Sequence, residues 1–249
     1  MTRDRRPLLM LAVAVSAVVS AAYLDLGLDG LTVGLDRLGH AGDFFAAAVS
    51  PAVVSEADSA QSLWPILLDA VSQTLKFALA AMSLALVLSV PLTLMCSERF
   101  WSGPAFVAAR ACVAAMRSVH ELIWAIILLA AVGLTPAAAV IAIAVPSAGT
   151  LAKVFAELID EAPDDAGQAL HALGASRLQV LLLGVVPGAL ASMMAYGFYR
   201  FECALRSAAV LGFFGFPTLG YRIHKSAENL YFEEVWTYLY ALIFLMAAA

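Results

Sequence analysis

Eight consecutive residues inside a long apolar run, Tyr199-Arg200-Phe201-Glu202-Cys203-Ala204-Leu205-Arg206, carry three charges. On insertion scales a charge at the centre of a bilayer costs about 2.5–3.5 kcal/mol, so such side chains face protein or water. Glu202 and Arg206 stand four residues apart, on one helical face, and can pair. Arg200 points elsewhere, with Tyr196, Cys203 and Ser207 on its side. His120-Glu121 is a second polar interruption in an apolar stretch. Two chemistries fit this set: an ion-pair network that knits helices together, or a path for an anionic solute.

Enzymatic readings of the same residues fail on spacing. His120-Glu121-Leu122-Ile123-Trp124 begins like a zinc-protease helix, but Trp124 occupies the place of the second histidine. The sequence has no G-x-S-x-G serine elbow. It has no G-x-x-x-x-G-K-[ST], so this chain does not hold ATP through a P-loop. His171 and His224 read as surface residues, and no metal ligand set emerges. Cys96, Cys112 and Cys203 are an odd, scattered trio in apolar surroundings, which is no disulfide framework.

The elements that would position these charges belong in a membrane. Hydrophobic residues make up 63% of the 249 and charged ones 13%, against roughly 25% charged in soluble domains. Mean hydropathy is +0.89. A net charge of −5 argues against nucleic acid as a partner. The expected fold is all-α, a polytopic helical bundle of about six transmembrane helices in a single domain, 1–249. Within it, residues 1–64 form an N-terminal anchor helix and external segment, and 65–249 the core, with the last helix incomplete.

In chain order, Arg3, Arg5 and Arg6 precede an apolar run from Pro7 to Leu24. This is a cleaved signal peptide or a retained first span; its length, near the ~20 residues that cross a bilayer, favours the anchor. Asp25 to Gln61 is acidic and expected outside, with Leu28, Leu31, Leu35 and Leu38 at helical spacing and His40 in a solvated loop. Trp64–Met95 is the second span, with Lys76 snorkelling from it. A helix from Pro104 carries Arg110 and Arg117 and enters the membrane near Ser118, crossing to Leu134. The fourth span, from Ala137 to about Phe155, should be kinked or broken around Pro146 and Gly149. The fifth runs from Gly188 to about Phe213, and the glycines from Gly212 to Gly220 then break the helix. Tyr221–Glu234 is expected outside, and a short apolar segment from Val235 ends the chain. The arginine bias puts both termini in the cytoplasm.

Between the fourth and fifth spans, Pro163 to Pro187 moves from polar to apolar. Pro163 suits a first helical position, with Asp164 and Asp165 at the positive end of the helix dipole. Ala166, Ala169, Leu170 and Leu173 mark one apolar face. Gly174 stands where a left-handed cap is expected, and Ser176 with Gln179 fits a capping box that opens the next helix. On these residues alone the stretch is an ordinary connector or a docking helix.

Gln168-Ala169-Leu170-His171-Ala172-Leu173-Gly174, followed by Ala175, Ser176 and, farther on, Pro187, resembles the E-A-A-x-x-x-G loop in permease subunits of ATP-driven importers. Gln168 replaces the leading glutamate. Arg117-Ser-Val-His120-Glu121-Leu-Ile-Trp124-Ala with Ala131-Val-Gly-Leu134 resembles the R-A-I-P-E-L-V-W-A…A-V-G-L run of the phosphonate/phosphite class. Tyr199-Arg200-Phe201-Glu202, Arg206 and Val210-Leu211-Gly212 resemble that class's Y-R-F-E…R…V-L-G segment. The resemblance spans roughly 72–240. His120 stands where the class has proline, and 214–220 departs from its V-G-A-G-G-I-G.

The resemblance implies a permease without an ATPase site, in a bacterial plasma membrane. Its partners would be a second copy of itself, two separate ATP-binding-cassette subunits that bind ATP and Mg, and an external solute-binding protein. Gln168 to Ser176 would form the cytoplasmic coupling helix. Glu121, His120, Arg200, Glu202 and Arg206 would line the path of a phosphonate, phosphite or phosphate. The alternatives are an importer of another solute, such as methionine, or an intramembrane enzyme or assembly factor.

Overall fold

The computed structural model describes residues 6–23, 35–52, 54–55, 61–163 and 165–248. These divide into two compact units, to Ser50 and from Pro51. The first unit holds α1 (Arg6–Tyr23) and α2 (Leu35–Ala46). His40 is exposed on α2, in a helix instead of the expected loop. Leu28 and Leu31 lie outside the described residues.

The second unit opens with a minimal antiparallel hairpin, β1 (Val54–Ser55) against β2 (Gln61–Ser62), and is otherwise helical. Its helices are α3 (Leu63–Cys96), α4 (Pro104–Ser118), α5 (Glu121–Val132), α6 (Pro136–Glu161) and α7 (Asp165–Ala172). Then come α8 (Arg177–Gln179), a π turn (Val180–Val185), α9 (Val186–Val210) and a 3₁₀ turn (Leu211–Phe214), followed by α10 (Leu219–Glu228) and α11 (Phe232–Ala247).

Small residues hold the centre together. Ala70, Thr74, Ala78, Ala81 and Ala85 are buried along α3, and Ala139, Ala142, Ala144, Ala148 and Ala152 along α6. Such stripes let helix backbones approach closely where lipid removes the hydrophobic drive to associate. Leu205 and Ala208 of α9 and Ala125 of α5 pack into one cluster with Ala78, Ala81, Ala139 and Ala142 of these stripes.

The count of spans differs from the expected six. Among the described residues, three helices are long and apolar enough to cross: Leu63–Cys96, Pro136–Glu161 and the joined Arg177–Phe214. Pro104–Ser118 and Glu121–Val132, bent by 89°, make a fourth if taken as one span. The 18 residues of α1 contain a shorter apolar stretch, Met10–Ser20, and α11 has 16 residues.

Two boundaries also moved. Pro146 and Gly149 do not break α6, which is continuous. Packing on several sides supports the helix there, as neighbouring helices do for prolines in membranes. Gly149 is instead a contact: a Cβ on it would lie 3.0 Å from Met116 Cβ and 3.2 Å from the Val113 carbonyl oxygen of α4. The fifth span, expected from Gly188, is part of a helix that already runs from Arg177, where the Ser176–Gln179 capping box opens it. The π turn displaces the backbone ladder just before Pro187, where the N–H that proline lacks would be needed. The break expected at 212–220 is present, with Gly215 at φ +95°.

Candidate solute path and coupling surface

The α9 charges separate as their spacing requires. Arg206 Nη2 donates to Glu202 Oε1 at 2.7 Å. Arg200, on another face, donates from Nη2 to Ser147 Oγ of α6 at 3.3 Å, while its buried Nε has no partner. Ser147 itself is 2% exposed, so a cation is held against the buried side of a core helix. Arg200 has no partner at helical spacing along α9; its partner comes from α6, which one helix's periodicity cannot reveal. Tyr196 and Tyr199 flank the site with ring centroids 5.8 Å apart.

His120 and Glu121 sit at the bend between α4 and α5. His120 is the N-cap of α5, and its Nδ1 accepts a hydrogen bond from the Leu122 backbone N–H at 3.3 Å. The Trp124 indole N–H reaches back across the bend to the Met116 carbonyl at 3.2 Å. Glu121 falls in the first turn of α5, where a carboxylate suits the helix dipole. Neither residue makes a hydrogen bond or ion pair with the α9 charges among the described residues. His120 thus caps the α4–α5 bend, Arg200 reaches α6, and Glu202 and Arg206 pair with each other along α9.

Around α7 the local chemistry follows the sequence closely. Gly174 has φ +85°. The Ala175 N–H donates to the Leu170 carbonyl and the Gly174 N–H to the His171 carbonyl, each at 3.0 Å. Those two bonds are the Schellman pattern that closes a helix on a left-handed residue. Ser176 and Gln179 form the expected capping box.

The apolar face expected on α7 stands largely exposed, with Leu170 half-buried. Ala166, Ala169 and Leu173 do not pack into this chain, and Leu173 is 84% exposed. Gly167 is the buried residue of α7. A Cβ on Gly184 of the π turn would lie 3.0 Å from the Gly167 Cα. Two glycines thus let the backbones touch, and apolar patterning could not show that. Helix α7 is described from Asp165, and Asp164, placed at its start by the sequence, lies outside the described residues. The entry to α7 is clamped from the loop after α3. Ser97 Oγ and the Glu98 N–H bind the Asp160 carboxylate, and Arg99 binds the carbonyls of Asp160 and Ala162.

A family model described as the binding-protein-dependent transport system inner membrane component matches residues 89–249, from the end of α3 through the clamp, α7 and α9. The chain belongs to that family. Membership makes it a transport component of an inner membrane, which the apolar helices suit. It is similar to the phosphate-import permease protein PhnE of Mycolicibacterium smegmatis, 30% identical over 67% of this chain and 32% of that protein. It is also similar to the phosphite transport system permease protein PtxC of Stutzerimonas stutzeri, 32% identical over 68% of this chain and 62% of that one. The chain thus spans about a third of the first relative's length and 62% of the second's. Its fold is similar to a chain of the MetNI methionine transporter solved in inward-facing conformations, with TM-score 0.67 at 20% identity, covering 75% of this chain and 92% of that one.

Proposed function

We propose that this permease moves a small phosphorus oxyanion (phosphonate, phosphite or phosphate) into the cytoplasm as half of a homodimeric importer. Two separate ATPase subunits drive it, and an external binding protein delivers the solute. ATP and Mg belong to the ATPases, since this sequence carries no P-loop. Both termini are cytoplasmic in this reading.

The observation that carries it is α7: an eight-residue helix whose Ala169 projects unburied, with Leu173 exposed just past its end, closed at Gly174 and seated by Gly167. Its occupant is a groove on the ATPase. Closure of the ATPases would draw two such helices together and turn the cavity from inward- to outward-facing. The phosphorus specificity is supported by what the relatives are named for, and by Arg200, a cation whose buried Nε has no partner within the chain. Glu202 and Arg206 serve mainly as a structural pair.

The test is reconstitution with the neighbouring ATPase and binding protein, followed by solute-stimulated ATP hydrolysis. Phosphite, phosphate or a phosphonate should stimulate. Stimulation by methionine alone would replace the solute, and none by any solute in an assembled complex would remove the importer reading.

A further inference from the structure

One cleft belongs to none of the groups above. Between the end of α3, α4 and the last turns of α6, a space of about 620 Å³ is lined by Arg110, Arg117, Ser118, Lys153 and Glu157, with Cys96 among its walls. Three cations therefore face one carboxylate. Glu157 is engaged by Lys153 at 3.3 Å, and Arg110 by Glu98 at 3.0 Å, a residue outside the lining. Arg117 makes no ion pair with any described residue.

Arg117 is also held in place. The backbone of α4 lies directly on Gly149, where a Cβ would come within 3.6 Å of the Arg117 nitrogen. Arg110 and Arg117 are seven residues apart, two helical turns, and share a face. Guanidinium forks match tetrahedral oxyanions bidentately, which a lysine cluster alone would not. The space exceeds a free phosphate and admits a headgroup. Beside it, α4 leaves Val107 63% exposed, a flank on which an acyl chain can lie.

We propose that this cleft is an anion site for a phosphate-type oxyanion group, carried by a free solute or by a lipid headgroup. It lies on the α7 side of Arg200. Along α6, Lys153 follows Ser147 by six residues, about 9 Å of helix, and α7 begins beyond Glu161. A role as the resting place of an oxyanion leaving for the cytoplasm rests on the transport reading above; the anion chemistry does not.

Ser118→Cys protein in phosphatidylcholine vesicles, with native cysteines kept, supplies the probe. Anionic and cationic methanethiosulfonates of equal size react with it, and peptide mass spectrometry follows position 118 alone. The anionic reagent should react roughly 10-fold faster, since charged clefts concentrate counter-ions by that order. Adding Arg117→Gln and Lys153→Gln should bring the ratio near one, whereas Lys76→Gln on α3 should leave it unchanged. Slowing of the anionic reagent by inorganic phosphate identifies the free solute as occupant. Slowing on adding phosphatidylglycerol, without phosphate, identifies the headgroup.

A ratio near one before the charges are removed, a ratio indifferent to their removal, or protection by neither anion overturns the site. If the wild-type assembly transports no phosphorus oxyanion while ratio and protection persist, the transport reading falls and the site remains. If Arg117→Gln/Lys153→Gln loses the ratio yet transports normally, the exit role falls and the transport reading remains.

Discussion

Arg200 Nη2 rests 3.3 Å from Ser147 Oγ, binding α9 to α6 through one charged hydrogen bond while the buried Nε stays unpartnered. A buried polar atom left unsatisfied costs about 1–3 kcal/mol, more on a charged group. A bound oxyanion would remove that cost, which makes Arg200 the α9 cation suited to sensing solute. Arg200→Gln should assemble with its partners at normal abundance and lose at least about 10-fold of solute-stimulated transport, equivalent to 1.4 kcal/mol. Ser147→Ala should lose less, since the guanidinium remains. Uptake measured against membrane abundance decides it, and normal uptake by Arg200→Gln would take the solute role from this residue.

Glu202 and Arg206 invite the opposite expectation. At 2.7 Å they neutralise one another along α9, so removing either leaves an uncompensated charge among apolar helices. Glu202 and Arg206 are 38% and 54% exposed in this chain, and a pair in water is worth about 0–1 kcal/mol. Within a bilayer a single charge left behind costs about 2.5–3.5 kcal/mol, and replacing both partners removes it. Glu202→Gln or Arg206→Gln alone should lower abundance, and the double variant should recover a good part of it. A double variant no better than the worse single one, in a full cycle of abundance and uptake, would assign these charges to the path.

How far the sequence could be read depended on which physics wrote each feature. Local backbone chemistry was legible: Gly174's left-handed cap and the Ser176–Gln179 box follow from a few adjacent residues. The all-α membrane class was legible from composition. Contacts between helices were not. Gly149, Gly167 and Gly184 look like helix weaknesses in the sequence, yet each lets backbones touch, because a missing Cβ matters only once a neighbour arrives. Of the kink or break expected at Pro146, the break is absent for the same reason, as packing supplies what the helix lacks. His120's part as the cap of α5 was not legible, because it depends on a bend between α4 and α5 that residue types alone do not show.

The glycine contact under α7 makes its own prediction. With Gly184's Cβ position 3.0 Å from Gly167 Cα and N, Gly184→Val must push α7 off the π turn. Overpacking of this kind costs about 1–3 kcal/mol. The permease should still insert, but its affinity for the ATPase should fall several-fold, as read by co-purification. Gly184→Ala should fall between. Undiminished co-purification of Gly184→Val would mean that α7 does not need this seat.

Orientation is tested without any partner. Cysteines placed at exposed positions of α10 and of Asn229–Leu230 should react with an impermeant thiol reagent from outside the cell. Cysteines placed at Ala169 or Leu173 should react only after the membrane is opened, as the positive-inside bias expects from Arg99, Arg110 and Arg117. Labelling of Leu173→Cys in intact cells would invert the topology and with it the docking of α7 to an ATPase.

The corner itself gives the sharpest test of coupling. Gly174 sits at φ +85° with open space around its Cβ position, so a larger side chain there meets no steric obstacle and the whole penalty is conformational. A β-branched residue in the left-handed region is strained by roughly 1–3 kcal/mol, and the Schellman bonds from Ala175 and Gly174 would loosen to relieve it. Asparagine tolerates the same backbone at far lower cost. Gly174→Val should therefore reach the membrane and bind its ATPase, yet hydrolyse ATP without proportionate uptake. Gly174→Asn should stay near wild type in both. The comparison isolates rigidity, because both variants add a side chain at one exposed site and only one distorts the backbone. Solute-dependent hydrolysis and uptake that remain matched in Gly174→Val would show that the corner connects two helices and transmits nothing.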